Sequence, residues 1–273
     1  MTAQRQHTPP AIGDPNDSQR TIGSQRRWVE LLWLVLGAAL LLLCAMPVHP
    51  DRVAPLEADA FRLVNHLPSV PFLVVWLPMQ LGNFLVVPVA VVAALIFRRW
   101  RLAGGLALAG AGVYALAKVV KHFVERGRPS GLLDDVVVRG AEPHGLGFVS
   151  GHIAVVTALA VVAWPWLPRW GRWVVAVAVA VVFLARMYVG AHLPLDMVGG
   201  AALGLAVGVT ARLLLGTHAG TERHQRRRRL PIEASAAGSS PSVTYSTGGQ
   251  ASRLRSWRGS RPAVTTTRAG GDS

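Results

Sequence analysis

Cysteine is all but missing from these 273 residues. Cys44 stands alone, which excludes an intramolecular disulfide framework and any zinc site built on thiolates, so stability must come from packing. Charge is scarce too, at 15% of residues against 51% hydrophobic, and acidic residues number 14 against 28 basic ones. Lysine is rarer still: among the basic residues only Lys118 and Lys121 are lysines, and they lie one helical turn apart. A net charge of +14 ordinarily points to nucleic acid or an anionic surface, but a mean hydropathy of +0.37 is out of place in a soluble nucleic-acid binder. A membrane is the partner to weigh first.

The apolar runs predict an all-α, polytopic membrane protein with six transmembrane helices and a short amphipathic surface helix. Residues 1–27 are polar and punctuated by Pro9, Pro10, Gly13 and Pro15, and read as a disordered tail. Trp28 to Met46 is nearly continuous hydrocarbon, long enough at about 1.5 Å per residue to cover the roughly 30 Å membrane core. We read it as a retained anchor and not a signal peptide, since 27 residues make a long leader and the Leu43-Cys44 junction lacks a small residue. Leu56, Ala60, Leu63 and Leu67 recur at helical spacing and predict a surface helix over 53–67. Further spans are expected at about 72–97, bent at Pro78 or Pro88, then at 102–124, 148–167, 173–189 and 193–215. The third is rich in Gly and Ala, which lets helices approach closely. The membrane domain is thus 28–216, followed by a basic tail over 217–273, rich in Ser, Gly, Thr and Arg, that reads as disordered.

Six spans place both termini on one side, and the basic residues say which. Of the 28 Lys and Arg, 20 fall in the two tails, in the loops after spans two and four, and at Arg212 in the last turn of span six, the segments read as retained at the cytoplasmic side. Those segments carry only 5 of the acidic residues. The run Arg226 to Arg229 reads as a topology determinant or a contact to anionic lipid, and tryptophans near helix ends (Trp28, Trp100, Trp164, Trp166, Trp170, Trp173) as an interfacial belt.

Three segments then meet at the outer face. A charge costs about 2.5–3.5 kcal/mol at the membrane centre, so ionisable residues there are functional candidates. The first segment, KHFVERGRP, holds Lys121 and Arg128. The second, FVSGHIAVV, holds Ser150, Gly151 and His152. The third, ARMYVGAHLPLD, holds Arg186, His192 and Asp196. Three cations, two histidines, a carboxylate and a helix N-terminus suit a phosphate. Ser150 is a plausible N-cap and Gly151 allows close backbone approach, so N–H groups opening the fourth span can bind an anion. His192 and Asp196, four residues apart, share a helical face; the carboxylate can accept Nδ1–H and leave Nε2 as nucleophile. His152 can then protonate the departing oxygen.

These segments resemble the three signatures of the type 2 phosphatidic acid phosphatase superfamily: Lys-x6-Arg-Pro at Lys121 to Pro129, Pro-Ser-Gly-His at 149–152, and Ser-Arg-x5-His-x3-Asp at 185–196. Val149 stands where the pattern has proline and Ala185 where it has serine. The resemblance covers roughly residues 28–215. It implies a hydrolase of lipid phosphates or diphosphates working through a phosphohistidine on His192, oriented by Asp196 and assisted by His152. Lys121, Arg128, Arg186 and the backbone at Ser150 and Gly151 would hold the phosphoryl oxygens, with no metal or other cofactor. Six spans argue against the soluble vanadate-dependent haloperoxidases of the same superfamily.

The expected partners are therefore a lipid phosphate or diphosphate substrate and the bilayer, with no nucleic acid. Polyprenyl diphosphate, phosphatidate and phosphatidylglycerol phosphate all fit, at an outward site of the cell membrane with cytoplasmic termini. Phosphotransfer to an acceptor other than water, and a non-catalytic scaffold, are the alternatives. Lys118 either lines the site or snorkels to the interface, and His122, His144, Arg126 and Arg139 read as solvated loop residues, with headgroup contact as the alternative. Asp134, Asp135 and Glu142 lack the compact spacing of a metal site.

Overall fold

The computed structural model describes residues 15–142 and 144–216, with the backbone alone over 15–26. These residues lie in the first of two compact units, residues 1–226. The C-terminal tail, the run Arg226 to Arg229 and the first fourteen residues lie outside the described residues. Among the described residues the secondary structure is helical throughout, with no strand.

Helix α1 runs over Pro15–Ala45 and begins before the expected boundary at residue 27. Helix α2, Pro55–Asn65, stands where a short helix is expected, opened by Pro55 in its first turn. Helices α3 (Phe72–Met79) and α4 (Val86–Ile96) meet at a 66° bend, joined through a 3₁₀ turn at Gln80–Gly82. The break falls between Pro78 and Pro88 and not at either. Pro88 lies in the first turn of α4, where its missing N–H costs nothing, and Asn83 closes the turn ahead of the helix by accepting the Leu85 N–H at 3.1 Å.

Helices α5 (Trp100–Val124), α6 (Pro129–Leu132), α7 (Gly151–Ala163), α8 (Arg169–Tyr188) and α9 (Pro194–Leu215) complete the order. Four stretches are long and apolar enough to cross a membrane: Arg27–Ala45, Trp100–Leu132, Arg169–Tyr188 and Pro194–Leu215. The bent α3–α4 pair makes a fifth if taken as one span. The expected fourth span is apolar but short: Gly151–Trp166 covers only about 24 Å.

Large apolar side chains point outward all around the helices, among them Leu32, Val35, Leu42, Leu73, Val89, Val177 and Leu214. Such a surface suits hydrocarbon rather than water. Trp100, Trp170 and Trp173 are exposed near helix ends, and Trp28 is exposed where the apolar stretch of α1 begins. The interior is built on small residues. Helix α9 packs on α1, α5 and α7, and Gly200, Gly204 and Gly208 form a stripe against α7. A Cβ on them would lie 2.4–2.9 Å from the backbone oxygens of Ser150, Ala154 and Ala158. The Gly/Ala content of α5 acts likewise, since a Cβ on Gly110 would strike Val87 of α4.

Candidate active site

The site forms where the N-terminal ends of α7 and α9 meet the C-terminal end of α5. Helix α5 ends at Glu125, which takes the left-handed C-cap conformation (φ 48°) and donates its N–H to the Lys121 carbonyl at 2.9 Å. That sharp exit sends Arg126 and Arg128 back toward the bundle. Helix α8 exits through Gly190 at φ 78°, where a Cβ would lie 2.9 Å from the Val137 carbonyl, so only glycine fits. Two residues later comes His192, 2% exposed.

Asp196 is fully buried in the first turn of α9. Its Oδ2 accepts the Leu193 N–H at 2.9 Å and lies 3.5 Å from His192 Nδ1. The pair expected from the four-residue spacing therefore exists, at a distance long for a hydrogen bond. Arg128 Nη1 lies 2.9 Å from His192 Nε2 and 3.3 Å from Nδ1, and donates to the Ala191 carbonyl at 2.8 Å. Arg128 is steadied by the carbonyls of Gly145 and His144, both at 3.1 Å. Burial, followed by the cations Arg128, Arg186 and Lys121, holds the His192 imidazole well below its ordinary pKa, so the ring is neutral with a lone pair to offer.

Lys121 Nζ donates to the carbonyls of Leu146 at 2.6 Å and Gly147 at 3.4 Å. Ser150 differs from expectation. Its backbone N–H is donated to the Asp196 carbonyl at 3.0 Å, so that donor ties α7 to α9 and does not face an anion. Its hydroxyl makes no capping bond and is buried without a partner, as is Nε of Arg186. Unmet donors in a buried site signal a ligand. The first intrahelical bond of α7 runs from the Ala154 N–H to the Ser150 carbonyl, so the N–H groups of Gly151, His152 and Ile153 have no intrahelical partner. His152 packs against Gly82, whose Cβ, if present, would lie 2.7 Å from the His152 Cβ and carbonyl.

Two residues of the cluster escape sequence reasoning. Arg126, expected in a solvated loop, is 1% exposed. Its Nη1 donates to Glu57 Oε1 at 2.9 Å and Asp196 Oδ1 at 3.0 Å, and its Nη2 to Glu57 Oε2 at 2.6 Å. Glu57 comes from α2. No local pattern marks this contact, which spans 69 positions. Arg139 is also no free loop cation: it donates to the carbonyls of Asn65, Tyr188 and Leu67 and lies over the Tyr188 ring. Lys118 is held by Tyr114, with Nζ 2.7 Å from its hydroxyl. Among the described residues no group of three His, Cys, Asp or Glu is placed to hold a metal ion.

Residues 98–218, which contain Lys121, Arg128, His152, Arg186, His192 and Asp196, match the model of the PAP2 superfamily. Over this stretch, which carries the three motif segments, the chain is similar to that superfamily. It is 28% identical over 182 residues to an undecaprenyl-diphosphatase of Sulfolobus acidocaldarius, covering 65% of this chain and 85% of the relative. The crystal structure of Aquifex aeolicus LpxE is 27% identical with a TM-score of 0.54, over 60% of this chain and 98% of that one. A transmembrane PAP2-type phosphatidylglycerolphosphate phosphatase from Bacillus subtilis shares the fold at 22% identity and a TM-score of 0.55, over 72% and 98%.

Proposed function

We propose that this protein is an integral membrane lipid phosphatase that removes phosphate from a lipid phosphate or diphosphate through a phosphohistidine on His192. The observation that carries the reading is the buried His192 ring in contact with Asp196 and Arg128, with unmet donors on Ser150 and Arg186 nearby.

A dianionic phosphoryl group competes better for a guanidinium than a neutral imidazole does, so its arrival draws Arg128 onto its oxygens and uncovers Nε2. Nε2 attacks phosphorus and the bond to the lipid oxygen breaks. His152 gives its proton to that oxygen, while Lys121, Arg128, Arg186, the Ser150 hydroxyl and the α7 N–H groups hold the three equatorial oxygens. Asp196 steadies the imidazolium character that develops on His192. Water then cleaves the P–N bond, with His152 taking its proton, and inorganic phosphate leaves. None of these steps calls on a metal.

The chain crosses the membrane six times in this reading, through α1, the bent α3–α4 pair, α5, α7, α8 and α9. The positions of the basic residues put the termini in the cytoplasm and the site at the outer face. The archaeal relative, named an undecaprenyl-diphosphatase, favours a polyprenyl diphosphate as the first substrate to try. The test is phosphate release in detergent with chelator present, over polyprenyl diphosphate, phosphatidate and phosphatidylglycerol phosphate. His192→Ala and His152→Ala are each expected to lose at least about a thousandfold in kcat; full turnover in either would overturn the mechanism.

A further inference from the structure

Helix α2 has two unlike faces. Leu56 and Leu63 are 83% and 75% exposed, whereas Glu57, Ala58, Phe61 and Asn65 are buried. An amphipathic helix on a protein surface ordinarily turns its carboxylates to water, since burying one unpaired costs several kcal/mol. Glu57 does the reverse and reaches the start of α9 by two routes. It binds both terminal nitrogens of Arg126, and its Oε1 also accepts the backbone N–H of Leu195 at 3.0 Å, the residue before Asp196.

We infer that Glu57 is a positioning residue for the nucleophile: by dividing the Arg126 guanidinium between two carboxylates, it sets where Asp196 stands and thereby the tautomer and orientation of His192. The inference rests on the phosphohistidine reading above. Arg126 Nη1 has two hydrogens, and one goes to each carboxylate. Without the Glu57 charge the whole cation is left to Asp196, the nearest anion. Asp196 then moves toward Arg126 and away from His192, where the contact is already long at 3.5 Å. Arg128 Nη1 lies nearer Nε2, at 2.9 Å, than Nδ1, at 3.3 Å; donation to Nε2 requires the proton on Nδ1, and Asp196, 3.5 Å from Nδ1, is the carboxylate placed to keep it there. A shift of a few tenths of an ångström at Asp196 therefore releases the tautomer without touching the phosphate-binding cations.

The test separates positioning from mere cohesion. Glu57→Gln keeps size and acceptor but removes charge; it is expected to lower kcat about 10- to 100-fold with KM nearly unchanged. The double variant Glu57→Leu/Arg126→Met removes Glu57 together with its counter-charge and leaves Asp196 as the one unpaired carboxylate, so its thermal stability is expected above that of Arg126→Met and below wild type. It is expected to leave kcat low. A readout that does not depend on turnover is ¹⁵N NMR of labelled histidine, with the His192 signals assigned by their loss in His192→Asn. Wild type is expected to show the Nδ1–H tautomer, and Glu57→Gln a mixture. Turnover of Glu57→Gln within threefold of wild type, recovery of kcat together with stability in the double variant, or an unchanged tautomer would each overturn the inference. If wild type released no phosphate from any of the three lipids, the phosphatase reading would fall, and the tautomer comparison would still decide whether Glu57 controls His192.

Discussion

Two buried ion-pair clusters are attached to opposite ends of α9. At its C-terminal end Arg212 donates to Glu30 of α1 at 2.5 Å; at its N-terminal end Arg126 joins Glu57 to Asp196. Asp196 and Arg212 are sixteen residues apart, or about 24 Å along the helix. Each cluster locks a neighbouring segment to α9 with charges that would be costly to bury singly. They differ in what lies next to them. The Glu30–Arg212 pair joins α1 to α9 at the end remote from the three motif segments, whereas Asp196 faces a histidine. The same interaction thus serves cohesion alone at one end, and at the other holds an acceptor against the reacting ring.

The shared atom set of Asp196 is the point at which that difference can be broken most completely. Asp196→Asn retains an oxygen for Arg126 but replaces the charge facing His192 by an amide that can donate. The expected loss in kcat is about 10³- to 10⁴-fold, the size seen when an orienting carboxylate is neutralised beside a catalytic histidine. Circular dichroism melts in detergent should show a fold still intact. Normal turnover in this variant would mean that the 3.5 Å contact has no catalytic weight.

The two arginines sharpen the comparison directly. Arg126→Ala leaves two buried carboxylates without their shared counter-charge and is expected to destabilise by roughly 3–5 kcal/mol, the range for breaking a buried pair, while Arg212→Ala removes one part-buried partner of Glu30 and is expected to cost less. Turnover per folded molecule should separate them: within about twofold of wild type for Arg212→Ala, and down at least tenfold for Arg126→Ala. Equal turnover in both would reduce the Asp196 cluster to cohesion. A gentler probe of that end is Gly82→Ala. Its methyl group would press on His152 from the α3–α4 turn, and the expected cost is about tenfold in kcat with phosphate affinity preserved, as measured by product inhibition.

The Asp196 cluster is only partly legible in the sequence, and the reason is distance along the chain. His192 and Asp196 can be paired on paper because they share one helical turn, and the three segments can be brought to one face because the basic loops orient the spans. Glu57 and Arg126 are different. Glu57 looks like a surface carboxylate on an amphipathic helix, and Arg126 looks like a loop cation two residues before the motif arginine; only the fold reveals that each is the other's counter-charge. Backbone commitments escape for the same reason. Ser150 has the right residue type for a cap, yet its N–H is spent on Asp196, a partner 46 positions away, and its hydroxyl is left over. The bend near residue 83 is masked by the two prolines that flank it.

A third ion pair supplies the control. Arg62 on the same helix as Glu57 donates to Asp135 of the loop between α6 and α7 at 2.8 and 3.3 Å, but both side chains are substantially exposed. The Arg62 hydrogen bond holds the Asp135 carboxyl below the usual carboxylate range. A depressed acid pKa contributes stability that is fully present above the unfolded value of about 3.9 and is lost only as pH falls through the lower folded value. Between pH 5 and 8 the pair is therefore constant, and water and salt screen what it contributes. Arg62→Ala is expected to leave kcat within about twofold of wild type. It should lower the melting temperature slightly and equally at pH 5 and pH 8, by an amount that 1 M salt removes. A large loss of activity would mean that the loop between α6 and α7, not the buried charge of Glu57, is how α2 governs the site.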